Sequence, residues 1–130
     1  MAVCTLGNCT SSKFTISDDL AVATSKNPDP VVILTKLLGT IDGTNITKIK
    51  IGLKTASEAD PYIYFTTASG GWNIKRTLKG VKGETNEDGV TEWVFDAKSN
   101  KEFATDITGI RLDPFDTKNV EFAISYIVVE

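Results

Sequence analysis

The sequence predicts an all-β protein: an antiparallel β-sandwich of the jelly-roll type, with about eight or nine short strands. Three observations lead there. Apolar and polar residues alternate with a period of two in several runs, most clearly over Ile46–Lys54. Clusters of Gly, Pro, Asn and Asp separate the runs at regular spacing. No stretch carries the 3.6-residue period of an amphipathic helix, and there is no repeat or low-complexity segment. At 130 residues the chain fits one module spanning 1–130. Residues 1–11 are expected to form a poorly ordered N-terminal segment of it.

The elements follow in order. Ser12–Ser17 alternates as a half-buried strand does, and Leu20–Thr24 extends or follows it after Asp18-Asp19. Lys26-Asn27-Pro28-Asp29-Pro30 is a loop, because its prolines lack ladder donors. Val31–Leu38 is an apolar run whose β-branched start favours a buried strand, although a short helix fits the same residues. Asp42-Gly43 supplies a turn. In Ile46–Lys54, Ile49, Ile51 and Leu53 face one way and Lys48, Lys50 and Lys54 the other. Pro61–Thr67 sets Ile63 and Phe65 on one face and Tyr62 and Tyr64 on the opposite one. Trp72–Lys79 reads as a strand after the Ser69-Gly70-Gly71 turn, and Gly80–Gly89 as a polar loop. Thr91–Ala97 is a strand with Trp93 and Phe95 on one face, followed by a connection over Lys98–Thr105 with room for a helical turn. Asp106–Leu112 and Asn119–Val129 are the last strands.

Composition narrows function more by exclusion than by indication. The net charge is −3, from 14 basic and 17 acidic residues, which disfavours nucleic acid as a partner. No apolar run approaches the roughly 20 residues that cross a bilayer, so no membrane is expected as a partner. Met1-Ala2-Val3 does not open a signal peptide, but a module cut from a secreted protein would have lost its leader. The chain has no histidine, which removes the commonest general base, the Ser-His and Cys-His systems and most zinc sites. Carboxylate-only chemistry survives that argument, but the acids lack an apolar setting except at Asp96 and Asp113, so no enzyme is expected. Cys4 and Cys9 form either a local disulfide clip or two free thiols.

Three segments carry a resemblance. They are Tyr62-Ile63-Tyr64-Phe65-Thr66-Thr67, an aromatic strand before a Gly-rich turn; Glu92-Trp93-Val94-Phe95-Asp96, after an acidic loop; and Ile107-Thr108-Gly109-Ile110-Arg111-Leu112-Asp113-Pro114, before the final strand. In order and spacing, residues 31–129 resemble galactose-binding-like β-sandwich modules, among them carbohydrate-binding modules of glycan-degrading enzymes. The resemblance implies a secreted or cell-surface protein, a polysaccharide or oligosaccharide ligand and a tethered catalytic domain. It leaves room for a structural calcium ion without assigning its ligands.

Each candidate residue has two readings. Tyr62 and Tyr64, opposite the core side of their strand, can stack on the C–H face of a sugar ring or pack beneath a loop. Trp72, at the edge of a Gly-rich turn, is either a stacking platform or a cap on the core shared with Ile74 and Leu78. Trp93 shares a face with Phe95 and belongs to the core. Arg76, Arg111, Lys48 and Lys50 are exposed by parity. Arg111 either orients a ligand through its planar fork or pairs with a neighbouring acid and fixes the Asp113-Pro114 turn; the second is favoured. Asn73, Asn86, Glu87 and Asp88 offer loop hydrogen bonds. Glu84, Glu87 and Asp88 are calcium ligands or, more simply, a solvated loop. Asn8-Cys9-Thr10 and Asn45-Ile46-Thr47 are glycosylation sequons of a common kind. The expected ligand-binding set is thus Tyr62, Tyr64, Trp72, Asn73, Arg76 and Arg111. The competing expectation is a structural or adhesion module that presents the same tyrosines to a protein partner.

Overall fold

The computed structural model describes residues 41–113 and 122–130 in full, together with the backbone of 2–3, 14–16, 21–24, 32–33 and 121. These residues form an all-β structure whose helical content is three short 3-10 turns. The strands are β1 (Ala2–Val3), β2 (Phe14–Ile16), β3 (Ala21–Thr24), β4 (Val32–Ile33), β5 (Ile41–Asp42), β6 (Lys48–Thr55), β7 (Tyr62–Thr67), β8 (Thr77–Thr85), β9 (Thr91–Asp96), β10 (Asp106–Asp113) and β11 (Glu121–Val129). They join in one curled sheet in the order β1-β2-β11-β6-β9-β8-β7-β10-β4, with β3 also on β11 and β5 also on β10. Every pairing is antiparallel except that of β1 with β2. Cys4, Cys9, Asn8 and the 26–30 loop lie outside the described residues, as do Pro114 and all of the 31–38 run but Val32–Ile33.

The period of two in β6 does what it predicts. Ile49, Ile51 and Leu53 are buried, while Lys48 and Lys50 are half-buried and Lys54 is exposed. Register carries that inward face across neighbouring strands. One row runs Val129–Ile49–Phe95–Gly80, and the next Ile127–Ile51–Trp93–Lys82. Ile63 and Phe65 of β7, Leu78 of β8 and Ile107, Ile110 and Leu112 of β10 join the same buried cluster. The two halves of the curled sheet therefore share one core. Phe95, Phe65 and Phe103 are its largest fully buried side chains. Trp93 is buried beside Phe95, as its alternation requires.

Bulges repair the period where it slips. In β10 the register shifts between Ile107 and Gly109, so Ile107 and Ile110, three apart, both turn inward. In β11 the shift between Ile124 and Tyr126 does the same for Ile124 and Ile127.

The segment around β8 differs from expectation. Trp72 to Arg76 is not strand: β8 begins at Thr77. Trp72 and Ile74 are exposed and do not share the inward series of Leu78. The residues of 72–76 are spent on turns, with the Asn73 carbonyl accepting from Arg76 N at 2.9 Å and its side chain accepting from Lys75 N at 2.9 Å. Conversely, most of the expected 80–89 loop is strand. Its polar composition reflects exposure, because residues 81–85 are all exposed, and the turn shrinks to Asn86–Gly89. Gly89 takes φ +81°, the left-handed conformation that a tight hairpin demands.

The Lys98–Thr105 connection contributes to the core. Asp96 and Asn100 cap successive 3-10 turns, Ala97–Ser99 and Lys101–Phe103, by accepting from Lys98 N at 2.9 Å and Glu102 N at 3.0 Å. The second turn drives Phe103 edge-on against Phe65, with ring centroids 5.0 Å apart. Phe65→Ala is expected to lower stability by about 3–5 kcal/mol, because it removes this contact and leaves a cavity in the shared core. Denaturant unfolding, with an unchanged slope, measures it.

Candidate functional site

The outward faces of β7 and β10 gather three of the six expected binding residues. Antiparallel register sets Arg111 opposite Tyr64, and Asp113 opposite Tyr62 in the next pair on the same face. Arg111 and Asp113, two apart on one strand, point the same way. Their side chains form a two-point ion pair, with Nε to Oδ1 at 2.8 Å and Nη2 to Oδ2 at 3.1 Å. The pair is largely shielded, at 21% and 13% side-chain exposure. The Arg111 guanidinium carbon also lies 4.3 Å from the Tyr64 ring centroid and 5.3 Å from that of Trp72. A planar cation shared by two rings and fixed by one carboxylate is rigid, because each contact restricts the same few torsions.

The loop between β7 and β8 brings Trp72 to this stack. Thr67 and Gly70 bridge it at its base, with Thr67 N donating to Gly70 O at 2.9 Å. Arg76 holds its far side, donating from Nε to Gly71 O at 2.7 Å and pairing through Nη1 with Glu102 at 3.2 Å. The indole then lies against Gly109. A Cβ at 109 would stand 3.2 Å from Trp72 Cη2 and 2.5 Å from Thr66 Oγ1. Trp72 keeps 43% of its surface exposed, and Ile74 in the same loop keeps 67%.

The structure thus unites Tyr64, Trp72 and Arg111, with half-buried Tyr62 two residue pairs along. Asn73 and Arg76 are not part of the stack. They shape the loop that carries Trp72. Arg76 and Arg111 are half-buried rather than exposed, because each is drawn down onto an acid. Lys48 and Lys50 lie on β6, in the other half of the sheet, where Lys50 pairs with Glu130 at 3.4 Å. In the β8–β9 turn, Asn86 Oδ1 accepts from Asp88 N and Val90 N at 3.0 Å each, so its carbonyl serves the hairpin. Among the described residues no group of three or more His, Cys, Asp or Glu is placed to hold a metal ion. No described helix is long and apolar enough to cross a membrane.

Sequence reasoning missed Gly109 as part of this cluster. The signal for Gly109 was available, since a glycine inside a strand marks a close approach by something bulky. Gly52 repeats the device on the other half of the sheet. There Tyr126, paired with Gly52, lays its ring over the glycine and donates its hydroxyl to Glu92 Oε1 at 2.9 Å. Glu92 is the residue opposite Gly52 on its far side.

No protein-family model, curated protein or solved structure matches this chain.

The Tyr126 phenol is pushed up from 10.0 to about 12, first by burial and then by the hydrogen bond and charge of Glu92. A folded value above the unfolded one means that the protonated phenol stabilises the fold fully below pH 10. That stabilisation is lost as pH rises toward 12. Tyr126→Phe should cost about 1 kcal/mol at neutral pH by leaving Glu92 without this donor. It should also flatten the fall in stability between pH 10 and 12, as measured by urea unfolding across that range.

Proposed function

We propose that the chain is a non-catalytic carbohydrate-binding module, secreted or displayed at a cell surface, which holds a polysaccharide through the Tyr64–Arg111–Trp72 face. In this reading the curled sheet is a jelly-roll sandwich of the galactose-binding-like kind. One observation carries the reading: a tryptophan 43% exposed lies against Gly109 and 5.3 Å from a cation that Asp113 anchors. Sugars are recognised by such rigid aromatic surfaces, because the C–H face of a pyranose sheds water against the ring while its hydroxyls meet polar rims. Arg111 is engaged by Asp113 and two rings, so its role is to position the rings rather than to grip a ligand acid. Trp72 is then the stacking residue, and Tyr62 and Asn73 flank it. The mechanism is targeting, in which a tethered catalytic domain gains local substrate concentration.

A second reading has its own observation. Ile74, 67% exposed in the loop that holds Trp72, adds an aliphatic side chain that a sugar has no use for. An adhesion module that docks a protein through this loop would use both residues.

Trp72→Ala should weaken polysaccharide retention by about 1–3 kcal/mol while hardly moving the melting temperature. Ile74→Ser should leave retention intact. Affinity electrophoresis and calorimetry against glucans, xylans, mannans and pectins read both variants. Retention of none of these by the wild type removes the carbohydrate reading. Loss of a protein contact by Ile74→Ser favours the second.

A further inference from the structure

We infer that a cavity at the polar end of the inward sheet face is a second subsite, which takes one neutral monosaccharide-sized unit. The choice of a sugar rests on the carbohydrate reading above; the cavity itself does not. Its volume is about 210 Å³, below the roughly 300–1,000 Å³ of sites for drug-sized ligands, so it suits a single ring. Leu53, Thr55, Glu58, Lys82, Thr91 and Trp93 line it, together with the turn at Ala56-Ser57.

Register explains why a cavity stands here. The row Val129–Ile49–Phe95–Gly80 is closed and apolar. In the next row the position beside Trp93 is Lys82, and in the third Leu53 is followed by Thr91 and Thr85. Residues directly opposite on paired strands share a face, so half-buried Thr91 and exposed Lys82 continue the face of Leu53 and Trp93. The inward face therefore turns polar at one end across two adjacent strands. Beyond Gly80, whose N–H donates to Pro61 O, β8 pairs only with β9 among the described pairings, and that register shifts between Lys82 and Thr85.

Thr55, Ser57 and Thr91 in the cavity wall are engaged, since Thr55 Oγ1 accepts from Ser57 N, Ser57 Oγ accepts from Ala59 N, and the Thr91 hydroxyl meets that of Thr85 at 2.7 Å. Neither Lys82 nor Glu58 is in an ion pair with a described residue. Trp93 is 5% exposed, yet its indole N–H has no described partner and is not sealed from solvent. One cation and one anion balance, which suits an uncharged ligand. Its hydroxyls accept from Lys82 and the indole N–H and donate to Glu58, while its C–H face meets the indole and Leu53.

The test uses the full chain with Trp72→Phe, which leaves Trp93 as the only tryptophan. Galactose, glucose, mannose and xylose are titrated while Trp93 emission is followed. At least one should give a saturable change. Lys82→Met, which keeps the aliphatic stem, should weaken that sugar about tenfold or more, as loss of a charged hydrogen-bond donor implies. Lys82→Met should leave the unfolding transition unchanged; Thr91→Val, which also breaks the 2.7 Å hydroxyl contact with Thr85, should weaken the sugar too. No saturable change with any of the four, while the wild type is still retained on polysaccharide, overturns the subsite and leaves the outer-face reading standing. A titrating Trp93 in a chain that no polysaccharide retains does the opposite. Saturation only by glucuronate or a free amino acid overturns the neutral-ligand assignment.

Discussion

A side chain at position 80 would stand 2.9 Å from the Pro61 carbonyl oxygen and 3.0 Å from the Phe95 ring. The curl of the sheet depends on there being none. Up to Lys79, β8 pairs with β7; from Gly80 onward it pairs with β9. At the handover Gly80 N donates to Pro61 O at 2.9 Å while the residue sits opposite Phe95. Only a glycine lets both neighbours approach so closely. Through this one strand the β6–β9–β11 half becomes continuous with the β7–β10 half, and their inward residues merge into a single core.

With the core shared, each strand has one face left for other work, and the two halves use it alike. An aromatic ring lies over a strand glycine, Tyr126 on Gly52 and Trp72 on Gly109, and a polar partner fixes its surroundings. The difference is in what remains open. Tyr126 turns its hydroxyl to Glu92 and is satisfied within the sheet. Trp72 is delivered from a loop and keeps nearly half its surface in solvent. That asymmetry, rather than any catalytic grouping, is why the β7–β10 face is the better candidate for a binding role. The balance of stability against exposure there is set by the Arg111–Asp113 pair. Its desolvation is offset by two well-made charged hydrogen bonds and two ring contacts.

The all-β class and much of the inward face were legible in the sequence, because burial imposes a period of two wherever a strand has one wet side. Ile49, Ile51, Leu53, Ile63, Phe65, Trp93 and Phe95 follow from it directly. The pairing of Arg111 with an acid was also readable, from two residues of one strand at the right spacing. What escaped depends on long-range register. Alternation across Trp72, Ile74 and Leu78 imitates a strand, but Asn73 and Arg76 use their hydrogen bonds locally and turn the chain. The 80–85 segment is polar because it is exposed, and polarity alone does not separate an exposed strand from a loop. Phe103 was hidden in a connection whose 3-10 turns are set by Asp96 and Asn100 caps. The meeting of Trp72 with Arg111 joins a loop to a strand far along the chain, which no local pattern encodes.

The exchange of partners by β8 is best tested by amide hydrogen exchange followed by NMR in the wild type. If Gly80 joins the two halves, its amide should exchange only through global unfolding, with the same free energy as the central β6 and β9 amides. Exchange of Gly80 at the rate of the exposed Asn86–Gly89 turn, while β6 and β9 stay protected, would contradict a continuous sheet and the single core that depends on it.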